Sequence, residues 1–268
     1  MKAGATSAGS VMLADAAVLP RDDVPALPSL SVVIPVLNEA GSVTALTHDI
    51  FRTLTGLDAF EVIFVDDGSS DGTADVIAGL RHSHPRLRLL RHDRRCGQSA
   101  ALVTGVRAAL ADWVVTLDGD GQDDPAAILP MLRMAQSCAL RSGAAAITCG
   151  IRAARRDGWS RRAASRAANA IRQAVLRDGC PDAACGLKAF RRDAFLRLPA
   201  FDGMHRYLPA LFQSHGHAVL HCPVQHRPRR HGRSKYTNLG RALIGVPDLL
   251  GVAWLLRRTR IPRRVMED

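Results

Sequence analysis

The sequence predicts an α/β fold, a mostly parallel sheet with helices on both faces. Three observations carry this reading. Short β-branched apolar runs recur through residues 30–117, amphipathic helical patterns separate them, and three of the runs lead into clusters of carboxylates and amides. Strands alternating with helices at this spacing build βαβ units and a parallel sheet. In such sheets, ligands bind beyond the carboxyl ends of the strands.

Residues 1–28 are rich in Ala, Gly, Ser and Pro without periodicity and read as a flexible leader. Residues 30–35, Leu-Ser-Val-Val-Ile-Pro, have the β-branched character of a buried first strand. Val43, Leu46, Ile50 and Leu54 recur at three-to-four spacing and predict a helix over 39–54. A second buried strand over 61–65 ends in Asp66-Asp67-Gly68-Ser69, and a helix over 73–82 follows. Residues 86–90 make a third strand and 98–110 a third helix. The fourth strand, 113–117, ends in Asp118-Gly119-Asp120, with Asp124 placed to cap a helix opening at Pro125.

The second half is less regular. Residues 145–149 and 218–224 read as strands, the latter an edge strand stopped by Pro223 and Pro228. Residues 160–176 read as a helix with Ala164, Ala168, Ile171 and Val175 on one face and arginines on another. Residues 185–192 are a loop or plain turn into a helix over 193–198. Residues 239–256 form an amphipathic helix containing Pro247, followed by Arg257, Arg258, Arg260, Arg263 and Arg264. The expected division is a leader (1–28), a main domain (29–236), and a membrane-proximal helix with a basic tail (237–268).

The 36 Lys and Arg outnumber the 25 Asp and Glu, for a formal net charge of +11 that favours an anionic partner. Aromatics make up 4% of residues, too thin for stacking along single-stranded bases. No C-x-x-C pair or zinc-finger spacing occurs among Cys96, Cys138, Cys149, Cys180, Cys185 and Cys222, which suits a reducing cytoplasm. No secretory signal and no run of ~20 apolar residues is visible. Glycine-rich phosphate loops are absent, which argues against dehydrogenases and P-loop enzymes.

Two carboxylates at one strand end, Asp118 and Asp120, are hard oxygen ligands suited to Mg²⁺ or Mn²⁺ bridging a diphosphate. Residues 66–73, also at a strand's ligand end, read as a strand-to-helix turn capped by Asp71 or Thr73, in which a carboxylate is also able to accept hydrogen bonds from a base or ribose. Eight arginines fall within residues 152–177, and five Arg/Lys with His226 and His231 within 226–235. Arg161 and Ser165, one helical turn apart, are able to grip one phosphate. A solvated basic face or a nucleic-acid patch is the competing explanation of these cations.

Val33-Ile-Pro-Val-Leu-Asn-Glu39, Val65-Asp-Asp-Gly-Ser69, Leu117-Asp-Gly-Asp-Gly-Gln-Asp-Asp-Pro125 and Arg233-Ser-Lys-Tyr236 occur in that order. Together they resemble family 2 glycosyltransferases of the polyprenyl-phosphate sugar synthase group, over residues 30–256. The resemblance implies a GT-A fold and a nucleotide site at Pro35, Leu37, Glu39, Val65, Asp67 and Asp118. It implies a metal site at Asp118 and Asp120, with Asp120, Gln122 and Lys235 as catalytic groups. Arg152, Arg161, Ser165, Arg229 and Lys235 would hold the acceptor phosphate, and Asp182 and Lys188 would lie near the sugar or phosphate. His205 is assigned no catalytic role.

The expected reaction is inverting transfer of a sugar from a nucleotide-diphosphate sugar to undecaprenyl or dolichyl phosphate. A phosphate acceptor is already an anion and needs no carboxylate base, and the Q-x-x-R-W motif of polysaccharide synthases is absent. The expected location is the cytoplasmic face of an anionic membrane, by surface attachment or with an integral membrane partner, and without nucleic acid. Transfer to a lipid-A or glycan hydroxyl, or a basic nucleic-acid-binding module, are the alternatives.

Overall fold

Runs such as Val32-Val33-Ile34 and Val62-Ile63-Phe64-Val65 are apolar at consecutive positions, so strands made from them need cover on both faces. In the computed structural model, which describes residues 27–152, 169–228 and 238–260, they receive it. The strands are β1 (Leu30–Val36), β2 (Phe60–Asp66), β3 (Leu87–Arg91), β4 (Trp113–Thr116), β5 (Ala146–Arg152), β6 (Lys188–Arg191) and β7 (Ala218–Val224). The helices are α1 (Ala40–Thr53), α2 (Thr73–Leu80), α3 (Gln98–Ala108), α4 (Ile128–Ser142), α5 (Arg192–Leu196), α6 (Leu208–Ser214) and α7 (Asn238–Arg258). They leave a single sheet in the order β3-β2-β1-β4-β6-β5-β7.

Side chains alternate between two cores along each strand. Val32, Ile34, Val62, Phe64 and Val115 pack under α1, α2 and α4. Val33, Ile63, Val65, Val114 and Phe190 pack under α3, α5, α6 and α7. Strands β1 to β4 are mutually parallel where they pair, and β5 pairs parallel with β7, which closes the edge as expected. Strand β6 alone reverses, running antiparallel to both β4 and β5.

The reversed strand corrects the loop expected over 185–192. Lys188-Ala-Phe-Arg191 is only four residues long and opens on a charge, so it carries no strand-like run. Its place in the middle of the sheet is settled by neighbours far away in sequence, with Lys188 opposite both Thr116 and Cys149. A second difference concerns the helix read over 160–176, of which residues 169–176 are described as helical. There Ile171 and Val175 are exposed and Arg172 is buried, because Arg172 bonds the Asp178 carboxylate and the Cys180 carbonyl. The expected leader lies outside the described residues except for its last two positions, of which Leu27 packs on the core.

Candidate active site

Parallel pairing of β1 with β2 and β4 sets three loops side by side at the carboxyl edge. Asn38 takes a left-handed backbone (φ 53), which its short polar side chain tolerates. Its amide donates to Ser69 Oγ at 2.8 Å, and its Oδ1 accepts from the Ser70 amide at 2.8 Å. The Glu39 amide donates to Thr73 Oγ1 at 2.9 Å. Asp71 Oδ1 caps the first turn of α2 at Thr73, and its Oδ2 accepts from the Ala40 amide at 3.2 Å. Much of the Asp66–Thr73 turn is therefore scaffold that fixes the loop bearing Leu37 and Glu39.

Pro35 and Leu37 are half-buried at this edge. Val65 is not available as a side chain: it is wholly buried in the core beneath α3, so only its backbone faces the site's strand end. Asp67 is buried, and its two oxygens accept from the Cys96 and Gly97 amides, each at 2.8 Å. His92 Nδ1 lies 2.8 Å from Asp67 Oδ1. The carboxylate thus sits just before the amino end of α3, where the helix dipole favours negative charge.

Gln98, the first residue of α3, donates from Nε2 to Asp118 Oδ1 at 2.9 Å. Helix α3 consequently ties the Asp67 loop to the carboxylate pair. The Asp118 amide donates to Asp123 Oδ2 at 3.0 Å, and the Gln122 amide to Asp120 Oδ1 at 3.0 Å. Burial, together with the neighbouring Asp120, pushes the Asp118 carboxyl up to about 6. Burial and the charge of Asp118 push Asp123 up to about 7. Two neighbouring carboxyls that offer only oxygen atoms are a donor set that fits a hard divalent cation held by Asp118 and Asp120.

Two close approaches shape this cradle. A Cβ on Gly119 would lie 2.5 Å from Val36 Cγ1, and one on Gly186 would lie 2.5 Å from the Asp118 carboxyl carbon. Only glycine lets the 182–188 segment pass beneath Asp118. Lys188, 4% exposed, donates from Nζ to the Cys185 carbonyl, and its charge opposes the upward push on Asp118. Arg152 donates to both oxygens of Asp182 at 2.6 Å, and this pair keeps its guanidinium firmly charged despite burial. Arg152, one of the residues assigned to an acceptor phosphate, is therefore already committed to Asp182.

The start of the basic loop is also placed. An isolated bridge pairs Asp123 with His226, and the Arg227 amide donates to the Gln122 carbonyl at 2.8 Å. Gln122 Nε2 lies 3.3 Å from His226 Nε2. Arg227 spans Asp49 at 2.6 Å and Asp124 at 2.8 Å, a clamp that anchors the loop beside the carboxylates. Arg161, Ser165, Arg229 and Lys235 lie outside the described residues. His205 bonds Ser99 Oγ at 2.8 Å, and burial pushes its ring down to about 3, so it is a neutral hydrogen-bonding group. Sequence reasoning missed Gln98 and His92 altogether. The only signal for them is their position just beyond β3 and at the head of α3, on the sheet's ligand side.

A cavity of about 560 Å³ lined by His48, Phe51, Phe60, His84 and Arg86 lies elsewhere, near the amino ends of β2 and β3. Its lining contains no carboxylate, so the chemistry belongs to the Asp118 edge.

Residues 31–198 match the model of the family described as glycosyl transferase family 2. The chain belongs to that family. Among curated relatives of this family 2 chain, the undecaprenyl-phosphate 4-deoxy-4-formamido-L-arabinose transferase of Edwardsiella ictaluri is 31% identical over 212 residues. That match covers 77% of this chain and 62% of the relative, so the chain spans less than two thirds of that protein's length. The dodecaprenyl-phosphate galacturonate synthase of Rhizobium johnstonii is 30% identical over 233 residues, covering 85% of this chain and 67% of the relative.

Solved structures share the fold. A mannosyltransferase of Pyrobaculum calidifontis, in complex with GDP-Man and Mn²⁺, superposes with a TM-score of 0.61 at 22% identity, covering 88% of this chain and 66% of that one. Glucosyl-3-phosphoglycerate synthase of Mycobacterium tuberculosis, in complex with Mn²⁺, UDP and glucosyl-3-phosphoglycerate, gives a TM-score of 0.62 at 20% identity, covering 88% and 81%. The family 2 chain has the GT-A fold that the ordered motifs imply.

Proposed function

We propose that this chain is an inverting glycosyltransferase that moves a sugar from a nucleotide-diphosphate sugar to a polyprenyl phosphate. The observation that carries the reading is the crowded Asp118/Asp120 pair at the end of β4, a cradle for a divalent cation on the same sheet edge as Asp67. The names of the curated relatives point to the same acceptor class. A bound Mg²⁺ or Mn²⁺ would neutralise the departing nucleoside diphosphate. Of the chain's own residues, Asp67 would bind base or ribose, Gln98 orients Asp118, and Arg229 and Lys235, outside the described residues, would meet the acceptor phosphate. The acceptor phosphate attacks as an anion, so charge stabilisation rather than proton abstraction lowers the barrier. Incubating the chain with a panel of nucleotide sugars and radiolabelled polyprenyl phosphate, with and without chelator, tests the reading. Metal-dependent label on the lipid is expected, and label on a glycan hydroxyl alone would replace it with the other acceptor class.

The division between donor and acceptor is tested separately. Asp67→Ala is expected to weaken nucleoside diphosphate binding by roughly tenfold or more, the loss of one or two charge-assisted hydrogen bonds. Arg161→Ala is expected to raise the KM for lipid phosphate while leaving calorimetric nucleotide affinity intact. Equal loss of nucleotide affinity in both variants would refute the division.

Attachment to the membrane surface belongs to the same proposal. No helix among the described residues is long and apolar enough to cross a membrane. Helix α7 instead carries two apolar faces. Leu249, Val252, Leu255 and Leu256 pack on the domain core, while Val246, Leu250 and Trp254 stand 60%, 63% and 61% exposed at four-residue spacing. Arg257 and Arg258 follow in the last turn, and the Arg258 guanidinium lies 5.8 Å from the centre of the Trp254 ring. An interfacial aromatic beside cations suits an anionic leaflet, with each cation contributing ~1 kcal/mol. Replacing Val246, Leu250 and Trp254 by Ser spares the packed face and is expected to abolish salt-sensitive co-sedimentation with anionic vesicles. Undiminished sedimentation of that variant would show that α7 is not the docking element.

A further inference from the structure

The nucleotide edge contains a second ligand set, chemically unlike the Asp118/Asp120 pair. One ligand atom each of Asp67, His92 and Cys96 lie within 4.8 Å of one another. They come from three separate places: the end of β2, the residue after β3, and the approach to α3. Asp67 is buried, His92 is half-buried and Cys96 is exposed, so the cluster has a fixed floor and an open mouth. The other ring nitrogen of His92, Nε2, is 3.0 Å from Thr104 Oγ1. The Cys96 amide bond to Asp67 brings that residue to the pair, and its exposed thiol, 3.4 Å from the Arg94 carbonyl, completes a set of three different ligand atoms.

We propose that Asp67, His92 and Cys96 form a binding site for a borderline-soft divalent cation of the Zn²⁺ class, at the carboxyl edge of the sheet. One carboxylate oxygen, one imidazole nitrogen and one thiolate, with a fourth position open to solvent, is a donor set that zinc accepts. Mg²⁺ and Mn²⁺ prefer the all-oxygen ligands at Asp118 and Asp120. Binding releases the Cys96 thiol proton to solvent, and His92 binds as a neutral imidazole through Nδ1. His92 then carries its one proton on Nε2 and donates it to the Thr104 hydroxyl, the outer contact that holds a metal-binding imidazole in one orientation. Asp67 need not surrender the Cys96 and Gly97 amides, because a carboxylate offers about four lone-pair positions. The ion takes the position that the nucleotide would use, so zinc and nucleotide exclude one another. That last consequence rests on the nucleotide reading of Asp67, whereas the metal site itself does not.

Cobalt serves as the probe, added to the full chain with excess Mg²⁺ present to occupy the oxygen site. A sulfur-to-cobalt charge-transfer band is expected, removed by Zn²⁺ and absent in Cys96→Ser. His92→Ala is expected to weaken Zn²⁺ binding roughly 10- to 100-fold, with circular dichroism confirming that each variant is folded. No band, or a band that persists in Cys96→Ser, overturns the site. UDP is then titrated into the cobalt form. Loss of the band in step with UDP binding supports mutual exclusion. A Cys96-dependent band that UDP leaves untouched upholds the metal site and removes Asp67 from the nucleotide reading. In the transfer assay, zinc inhibition relieved by more nucleotide sugar but not by more Mg²⁺, and lost in Cys96→Ser, supports the same exclusion.

Discussion

Asp120→Asn is expected to abolish sugar transfer, by roughly 10³-fold or more, while the metal-free protein is expected to melt at the same temperature or higher. Several kcal/mol of leaving-group stabilisation depends on the cation, which accounts for the size of the loss. The rise in stability follows from the crowding. Burial and the Asp120 charge together push the Asp118 carboxyl up to about 6, and neutralising residue 120 relieves part of that repulsion. Because the folded state raises Asp118 and Asp123 to about 6 and about 7, it holds protons that the unfolded chain has already released. Their contribution to metal-free stability is therefore complete below the ordinary carboxylate range and is lost as pH rises through those values. Metal binding runs the other way and strengthens over the same interval, since only ionised carboxylates hold the cation. Calorimetric melts of wild type and Asp120→Asn across this window, with and without Mg²⁺, check both signs. A variant that melts markedly lower without metal, or that still gains stability from Mg²⁺ as wild type does, contradicts the assignment.

Gly186→Ala is expected to carry the next largest cost without replacing a single ligand. The added Cβ would sit 2.5 Å from the Asp118 carboxyl carbon and 2.7 Å from each of its oxygens. The backbone has little room to withdraw, because the Gly186 carbonyl accepts from Thr116 Oγ1 at 2.6 Å and Lys188 begins a strand paired on both sides. Asp118 is the group that must move, breaking its contact with Gln98. Transfer should fall about 100-fold, the penalty for misplacing a group by about 1 Å, with a stability cost of about 1–3 kcal/mol for overpacking. Much of the loss should be recovered at high Mn²⁺. Titration calorimetry separates the two effects: a folded Gly186→Ala protein with wild-type Mn²⁺ affinity would show that Gly186 does not shape the cradle.

The loop 92–98 is where sequence and structure part company. Nothing in His92-Asp-Arg-Arg-Cys-Gly-Gln98 marks Asp67 as the partner of the Cys96 and Gly97 amides, or Asp118 as that of Gln98. Those partners lie 20 or more residues away and meet only when parallel pairing aligns the ends of β1, β2 and β4. Arg227 is similar. As a sequence it is one more cation in a basic loop, and only the fold shows it clamped between Asp49 and Asp124. The exposed and buried stripes of α7 coexist within one apolar helix, so which one faces the core waits on Val252 finding its neighbours.

By itself, the sequence determined whatever is written in short-range pattern. The apolar runs of β1, β2 and β4, the three-to-four spacing of α1, the Asp124 cap at Pro125 and the carboxylates closing each strand are all local. The ordered motifs carry the family for the same reason, since each is a contiguous stretch of chain. Tertiary structure alone decided the reversal of β6, the burial of Lys188 beneath Asp118, the commitment of Arg152 to Asp182 and the convergence of Asp67, His92 and Cys96. Each depends on register between strands or on close approach between loops distant in sequence. Such contacts form only when the whole sheet is assembled and both faces are covered, so no local run of residues encodes them.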